Sequence, residues 1–219
     1  MSAQTDRFVH DRLPPRNQWP RMHYDLPELQ LPAQLNAIGE LLDKAAAKGF
    51  GDRPLLRSPR VTLTYAQARE RVDRIAQVLT QDLGLVPGNR VLLRGGNSVG
   101  MALAWLAVVK AGLVAVATMP LLRARELGDI IDKAQPVAAI CDAKLLDELE
   151  QAQKEHPSLQ TILRYNAPDD PRDLGALCAT KAGHFTPCPT AADDIALMAF
   201  TSGTTGKPKA AVYSHRDVM

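Results

Sequence analysis

Residues 199–215 read AFTSGTTGKPKAAVYSH. Between Thr201 and Lys209 stand two glycines (Gly203, Gly206), four hydroxyl side chains (Thr201, Ser202, Thr204, Thr205) and two lysines (Lys207, Lys209). The glycines permit backbone angles closed to other residues and let main-chain N–H groups approach a ligand closely. Successive N–H groups in such a turn form an anion nest, the hydroxyls add donors, the lysines add positive charge, and Pro208 limits the loop's freedom. Together these groups suit a polyphosphate. The bland alternative is a glycine-threonine turn whose hydroxyls only cap local backbone. The density of donors, both lysines and the position of the loop favour phosphate. IALMAF (195–200) is an uninterrupted apolar run that reads as a buried strand, so the loop leaves the carboxyl end of a strand, where ligands of open α/β sheets bind. AAVYS reads as a second strand, which makes the loop a hairpin-like lid. The Walker A pattern G-x-x-x-x-G-K-[ST] does not fit, because only two residues separate Gly203 from Gly206 and Pro208 follows Lys207.

The elements that must position this loop alternate along the chain. A helix is expected at about 34–48, stopped by Gly49, then a short strand VTL (61–63). Thr64 and Gln67 have capping-box spacing, and Ala68, Val72, Ile75, Ala76, Leu79 and Leu83 recur along one helix face before Gly84. Strands follow at 90–93, 113–118, 137–141 and 159–165, separated by helices at about 98–111, 123–134 and 144–155, with a further short helix near 173–182. Apolar strands alternating with helices predict a parallel, doubly wound α/β sheet covered on both faces. Residues 1–30, rich in Pro, Arg and His, read as an arm over the surface, leaving 31–219 as the folded body.

Composition narrows the function. With 46% hydrophobic and 23% charged residues and a net charge of +2, the chain is an ordinary globular protein. No basic run interleaved with aromatics argues for nucleic acid. The first twenty residues hold no apolar signal region, which points to the cytoplasm. The apolar stretch 95–122 is read as a buried helix and strand rather than a membrane span, because Lys110 and Gly112 interrupt it. Cys141, Cys178 and Cys188 suit reduced thiols. Cys178, His184 and Cys188 are too irregularly spaced for zinc and lack a nearby fourth ligand. Asp193-Asp194 reads as a solvated turn, and His215 as a helix-start histidine satisfied by local hydrogen bonds, with Ser214 and Asp217 as N-cap and first-turn residues. No metal site is expected.

TSGTTGKPK (201–209) resembles the phosphate-binding signature of the adenylate-forming superfamily: acyl- and aryl-CoA ligases, peptide-synthetase adenylation domains and luciferases. WLAVVKAGLVAVATMPLLRARELGDIIDKAQPVAAICD (105–142) is similar to another recognisable region of that superfamily. ATMPLLRARE with IIDKAQ, and RLPPRNQWP with YDLPELQ, look most like the benzoate and 2-aminobenzoate CoA ligase group. The resemblance covers essentially the whole chain, which is under half of a typical family member.

The resemblance implies the N-terminal part of a large AMP-binding domain and a two-step reaction. The carboxylate of an aromatic acid attacks the α-phosphate of ATP, giving acyl-AMP and pyrophosphate, and the thiol of coenzyme A then displaces AMP. It further implies that Thr201, Ser202, Gly203, Thr204, Thr205, Gly206, Lys207 and Lys209 hold the β- and γ-phosphates, with magnesium bound by residues outside this chain. Ala210 stands where the family has glycine, which would stiffen the lid. By the same resemblance the acid pocket, the magnesium glutamate and the adenylation lysine lie beyond the loop, so no catalytic residue is assigned here. The chain alone is expected to be inactive, and to associate with itself or with a complementary piece. The rival reading is a non-catalytic remnant that at most binds nucleotide or a partner subunit.

Overall fold

Alternation along the central strands builds the sheet and its two cores. The computed structural model describes residues 1–201 and 208–219. In β3 (Arg90–Arg94), Val91 and Leu93 face one hydrophobic cluster and Leu92 the other, as a period of two requires. β4 (Val114–Thr118), β5 (Ala138–Asp142), β6 (Thr161–Tyr165) and β7 (Ile195–Thr201) run parallel to β3, and β8 (Lys209–Ser214) pairs antiparallel with β7. The order across the sheet is β6-β5-β3-β4-β7-β8. A separate hairpin joins β1 (Pro54–Arg57) to β2 (Thr62–Thr64). The sequence does not announce β1, because PLLR is short, begins with proline and does not alternate.

Helices α1 (Tyr65–Gln77) and α2 (Val99–Lys110) cover one face; α3 (Ala124–Ala134) and α4 (Leu146–Glu155) cover the other. The doubly wound expectation holds, with β8 as an antiparallel edge. The Thr64–Gln67 capping box starts α1 as expected. Gly112, at φ +74°, ends α2; a Cβ there would lie 2.6 Å from the Cys188 sulfur, so both backbone angle and space require glycine. The helix expected at 34–48 appears as wide helical turns from Gly39 to Lys44 and on from Ala46, and Gly49, at φ +86°, breaks it as expected. The expected helix at 173–182 is shorter, α5 (Leu174–Ala179), capped by Asp173.

Lys110 is fully buried at the end of α2, bonded to Asp73 of α1 and 2.8 Å from Asp43. A buried ammonium persists only when paired in this way. The first residues of the N-terminal arm are tied into the fold. Gln4 exchanges side-chain hydrogen bonds with the backbone of Ile195, Asp6 pairs with Arg90, and the Phe8 ring lies between Arg12 and Arg90. Asp194 is 1% exposed rather than solvated, because its carboxylate accepts from the N–H groups of Ala3 and Ala191. Asp193 is exposed and pairs with Arg216. No helix among the described residues is long and apolar enough to cross a membrane.

Candidate phosphate site at the carboxyl end of the sheet

β3 is followed by α2 on one face and β4 by α3 on the opposite face, so the chain departs in opposite directions from two adjacent strands. That divergence opens a crevice at their carboxyl ends, where open α/β sheets bind ligands. β7 lies beside β4, which brings the end of β7 to the same crevice. Of the eight residues assigned to phosphate, Thr201 and Lys209 lie in the described structure, as cross-strand partners closing the β7–β8 ladder. Ser202, Gly203, Thr204, Thr205, Gly206 and Lys207 lie outside the described residues. The two strands expected on either side of them, β7 and β8, are present and pair with each other. Ala210 pairs with Phe200 and packs on the second core cluster, so its methyl occupies an ordinary strand position.

Two cavities flank the crevice. One of about 630 Å³ lies on the α2 side, lined by Leu42, Leu56, Tyr65, Trp105 and, at the strand ends, Leu93 and Thr118. The other, of about 540 Å³, lies on the α3 side between the Met119–Leu122 turn and Ala199, Phe200, Thr201 and Pro208. Thr118 borders both, its hydroxyl fixed by donation to the Leu93 carbonyl at 2.8 Å. Thr201 and Pro208, the described residues on either side of 202–207, both line the second cavity.

Arg94 holds the turn that lines that second cavity. It is 1% exposed and donates to the carbonyls of Met119, Pro120, Leu122 and Leu145. Burial lowers its pKa below the usual arginine range. Sequence reasoning missed this residue; the available signal was an arginine at each end of the apolar run VLL in RVLLR. Two of the three glycines of RGGNSVG, Gly95 and Gly100, serve packing. A Cβ on Gly95 would stand 1.9 Å from the Tyr165 hydroxyl, and one on Gly100 3.0 Å from the Tyr165 ring.

The remaining candidates are not reactive groups. Burial pushes the Cys141 thiol up to about 12 and those of Cys178 and Cys188 to about 11, so none is a thiolate at neutral pH. Cys188 packs against Gly112, whereas Arg74 donates to the Cys178 carbonyl. No group of three potential metal ligands comes together among the described residues. His215 corrects the expectation of local hydrogen bonding. It is fully buried, its Nδ1 accepts from the distant Ala37 N–H at 3.1 Å, and burial lowers its pKa to about 4. The expected capping role of Ser214 and Asp217 is present.

Residues 43–219 match the family of AMP-binding enzymes. The 4-hydroxybenzoate–CoA/benzoate–CoA ligase of Rhodopseudomonas palustris is 29% identical over 181 residues, covering 82% of this chain and 33% of that protein. The chain therefore spans about a third of the length of this relative. Among solved structures, an anthranilate CoA ligase in complex with anthranoyl-AMP superposes with a TM-score of 0.80 at 21% identity, over 88% of this chain and 36% of that one, a likeness of fold. ATP-bound MatB from Rhodopseudomonas palustris gives a TM-score of 0.69 at 30% identity, over 83% of this chain and 35% of that one.

Proposed function

The chain belongs to the AMP-binding enzyme family, and from that membership we propose that it supplies the nucleotide-phosphate clamp of an AMP-forming acid–CoA ligase acting on an aromatic carboxylic acid of the benzoate or 2-aminobenzoate type. The observation that carries this reading is the β7–loop–β8 hairpin standing at the carboxyl end of the sheet beside the β3/β4 crevice. In the first step a carboxylate oxygen bonds to the α-phosphorus of ATP, the bond from that phosphorus to the bridging oxygen breaks, and pyrophosphate leaves. In the second the coenzyme A sulfur bonds to the acyl carbon, the bond to the AMP oxygen breaks, the thiol proton is lost to solvent, and AMP leaves. Carboxylate and triphosphate repel, so positioned donors must offset the negative charge as they approach.

Thr201, Ser202, Gly203, Thr204, Thr205, Gly206, Lys207 and Lys209 are assigned to the β- and γ-phosphates. Magnesium would accompany the nucleotide as its counter-ion. The aromatic preference is supported by the benzoate-activating relative and by the ATMPLLRARE wording of the β4–α3 connection. The body is taken as residues 31–219 preceded by an arm at 1–30. Calorimetric titration of the 219-residue chain with ATP and with inorganic pyrophosphate tests the clamp, and saturable binding of both is expected. Exchange of labelled pyrophosphate into ATP in the presence of benzoate or 2-aminobenzoate tests whether the chain alone also activates the acid; no exchange is expected. Absence of binding to both phosphate ligands would overturn the clamp.

A further inference from the structure

At the β6 edge of the sheet, away from β7 and β8, a cavity of about 410 Å³ lies among α1, the start of α2, the end of β6 and α5. Among the described residues it shares no lining with the two cavities of the crevice. Its walls divide by chemistry. Val99, Leu103, Leu174 and the Tyr165 side chain supply apolar surface, and Arg71 and Arg74 supply cationic groups from one face of α1. Arg74 Nη2 donates to Glu70 at 2.8 Å and Nη1 to the Cys178 carbonyl at 3.2 Å, which fixes its guanidinium at the cavity. Arg71 is exposed and, among the described residues, has neither an ion pair nor a side-chain hydrogen bond. Asp173, the acidic residue of the lining, does not supply the missing counter-charge. It is 7% exposed, and its oxygens accept from the N–H groups of Ala167, Gly175 and Ala176 at the start of α5.

We propose that this cavity is a binding site for a small amphipathic carboxylate, separate from the crevice. Its carboxylate would be held by Arg71 and Arg74, and its apolar body would lie against Val99, Leu103 and Leu174. A guanidinium pairs with a carboxylate through two parallel hydrogen bonds, and removing an apolar body from water against an apolar wall adds to that attraction. A cavity of this size with a few convergent polar groups suits a small molecule. Inorganic phosphate would meet the arginines but leave the wall uncovered. The inference does not rest on the clamp, because no residue of 201–209 takes part.

The test is calorimetry and amide NMR on the full 219-residue chain, with octanoate as the probe and octan-1-ol and inorganic phosphate as controls. Octanoate should bind saturably and more tightly than either control, with amide shifts concentrated at residues 71–75, 99–103 and 174–178. Arg71→Gln, made at an exposed position of α1, should lower octanoate affinity roughly fivefold or more, the worth of a charge-assisted contact, and leave octan-1-ol unchanged. Val99→Trp, which fills the cavity from a half-buried position, should weaken octanoate and octan-1-ol alike. The proposal is overturned by an absence of saturable octanoate binding, or by shifts centred instead on residues 41–42, 55–56 and 105–106 of the larger apolar cavity. An Arg71→Gln affinity equal to the parent's would overturn it too. So would phosphate binding as tight as that of octanoate, which would reduce the site to a pair of surface arginines. Failure of the chain to bind ATP and pyrophosphate would defeat the clamp and leave this site standing.

Discussion

Thr201 and Lys209 stand directly opposite each other as the last cross-strand pair of β7 and β8, so the chain between them leaves and re-enters the sheet at one point. The geometry concentrates donors. Strand pairing alone holds a threonine and a lysine opposite each other, and Thr201 lines the cavity beside the β4–α3 turn.

Because Lys209 is exposed and lies at the end of a strand, its ammonium can be removed without loss of packing. Lys209→Met should weaken pyrophosphate binding roughly tenfold, the worth of one charge-assisted contact. Melting temperature should stay within about 2 °C, since surface changes of this kind cost under about 0.5 kcal/mol. Calorimetry and a thermal melt on the same sample check both halves, and an unchanged pyrophosphate affinity would remove Lys209 from the clamp.

The histidine that follows β8 makes stability depend on pH. His215 has its pKa lowered to about 4 by burial, against an ordinary value of 6.5, with Asp194 acting in the opposite sense. The unfolded chain therefore takes up a proton before the folded one, and the stabilisation from the neutral ring is whole above about pH 6.5 and lost progressively toward pH 4. The shift corresponds to roughly 3 kcal/mol. Asp73, whose pKa is raised by burial, works the other way as pH falls through its folded value. Asp6, whose pKa is lowered against its desolvation by bonds to the Phe8 N–H and to Arg90, loses its contribution only below the usual carboxylate range. Urea unfolding between pH 7 and pH 4.5 should show the decline, and His215→Gln should flatten it. A parallel decline in the variant would place the effect elsewhere.

What the sequence made legible, and what it did not, divides by the range of the interaction. Strand and helix periods, the Thr64–Gln67 capping box and the stop at Gly112 are written in neighbouring residues, and each is found close to its expected place. The strand-loop-strand frame of the site was equally readable, because an apolar run and a donor-rich turn are adjacent in the chain. Asp194, His215 and Arg94 were not. Their partners are backbone groups of Ala3, Ala37 and Met119–Leu122, and a bond to a distant main-chain atom leaves no side-chain pattern to find. Polarity made Asp194 look solvated, whereas one distant N–H, from Ala3, and one local N–H, from Ala191, satisfy its buried carboxylate.

The Lys110 cluster should behave as a unit. Lys110 is fully buried between Asp73 and Asp43, and Asp73 is itself nearly buried. Removing the ammonium leaves two carboxylates facing each other in an apolar surround, so Lys110→Met should cost about 3–5 kcal/mol. Replacing Asp73 by Asn in the same chain should recover part of that loss by removing one of the two stranded charges. Chemical denaturation of the single and double variants reads the coupling, and strictly additive losses would show that the cluster is not a unit.

Gly95 and Tyr165 offer the cleanest separation of packing from ligand chemistry in the loop after β3. A Cβ at position 95 would lie 1.9 Å from the Tyr165 hydroxyl and 2.7 Å from the Met101 methyl, so Gly95→Ala should destabilise by about 1–3 kcal/mol through overpacking. Among the described residues the buried Tyr165 hydroxyl makes no hydrogen bond, so Tyr165→Phe alone should be nearly neutral. In the double variant the clash with the hydroxyl disappears, while the Met101 methyl at 2.7 Å and the nearest ring carbon at 3.1 Å remain, contacts the side chains can relieve only in part by shifting. About half of the Gly95→Ala loss should therefore return. If Gly95→Ala instead leaves stability intact but abolishes pyrophosphate binding, the glycine serves a ligand and the packing account is wrong.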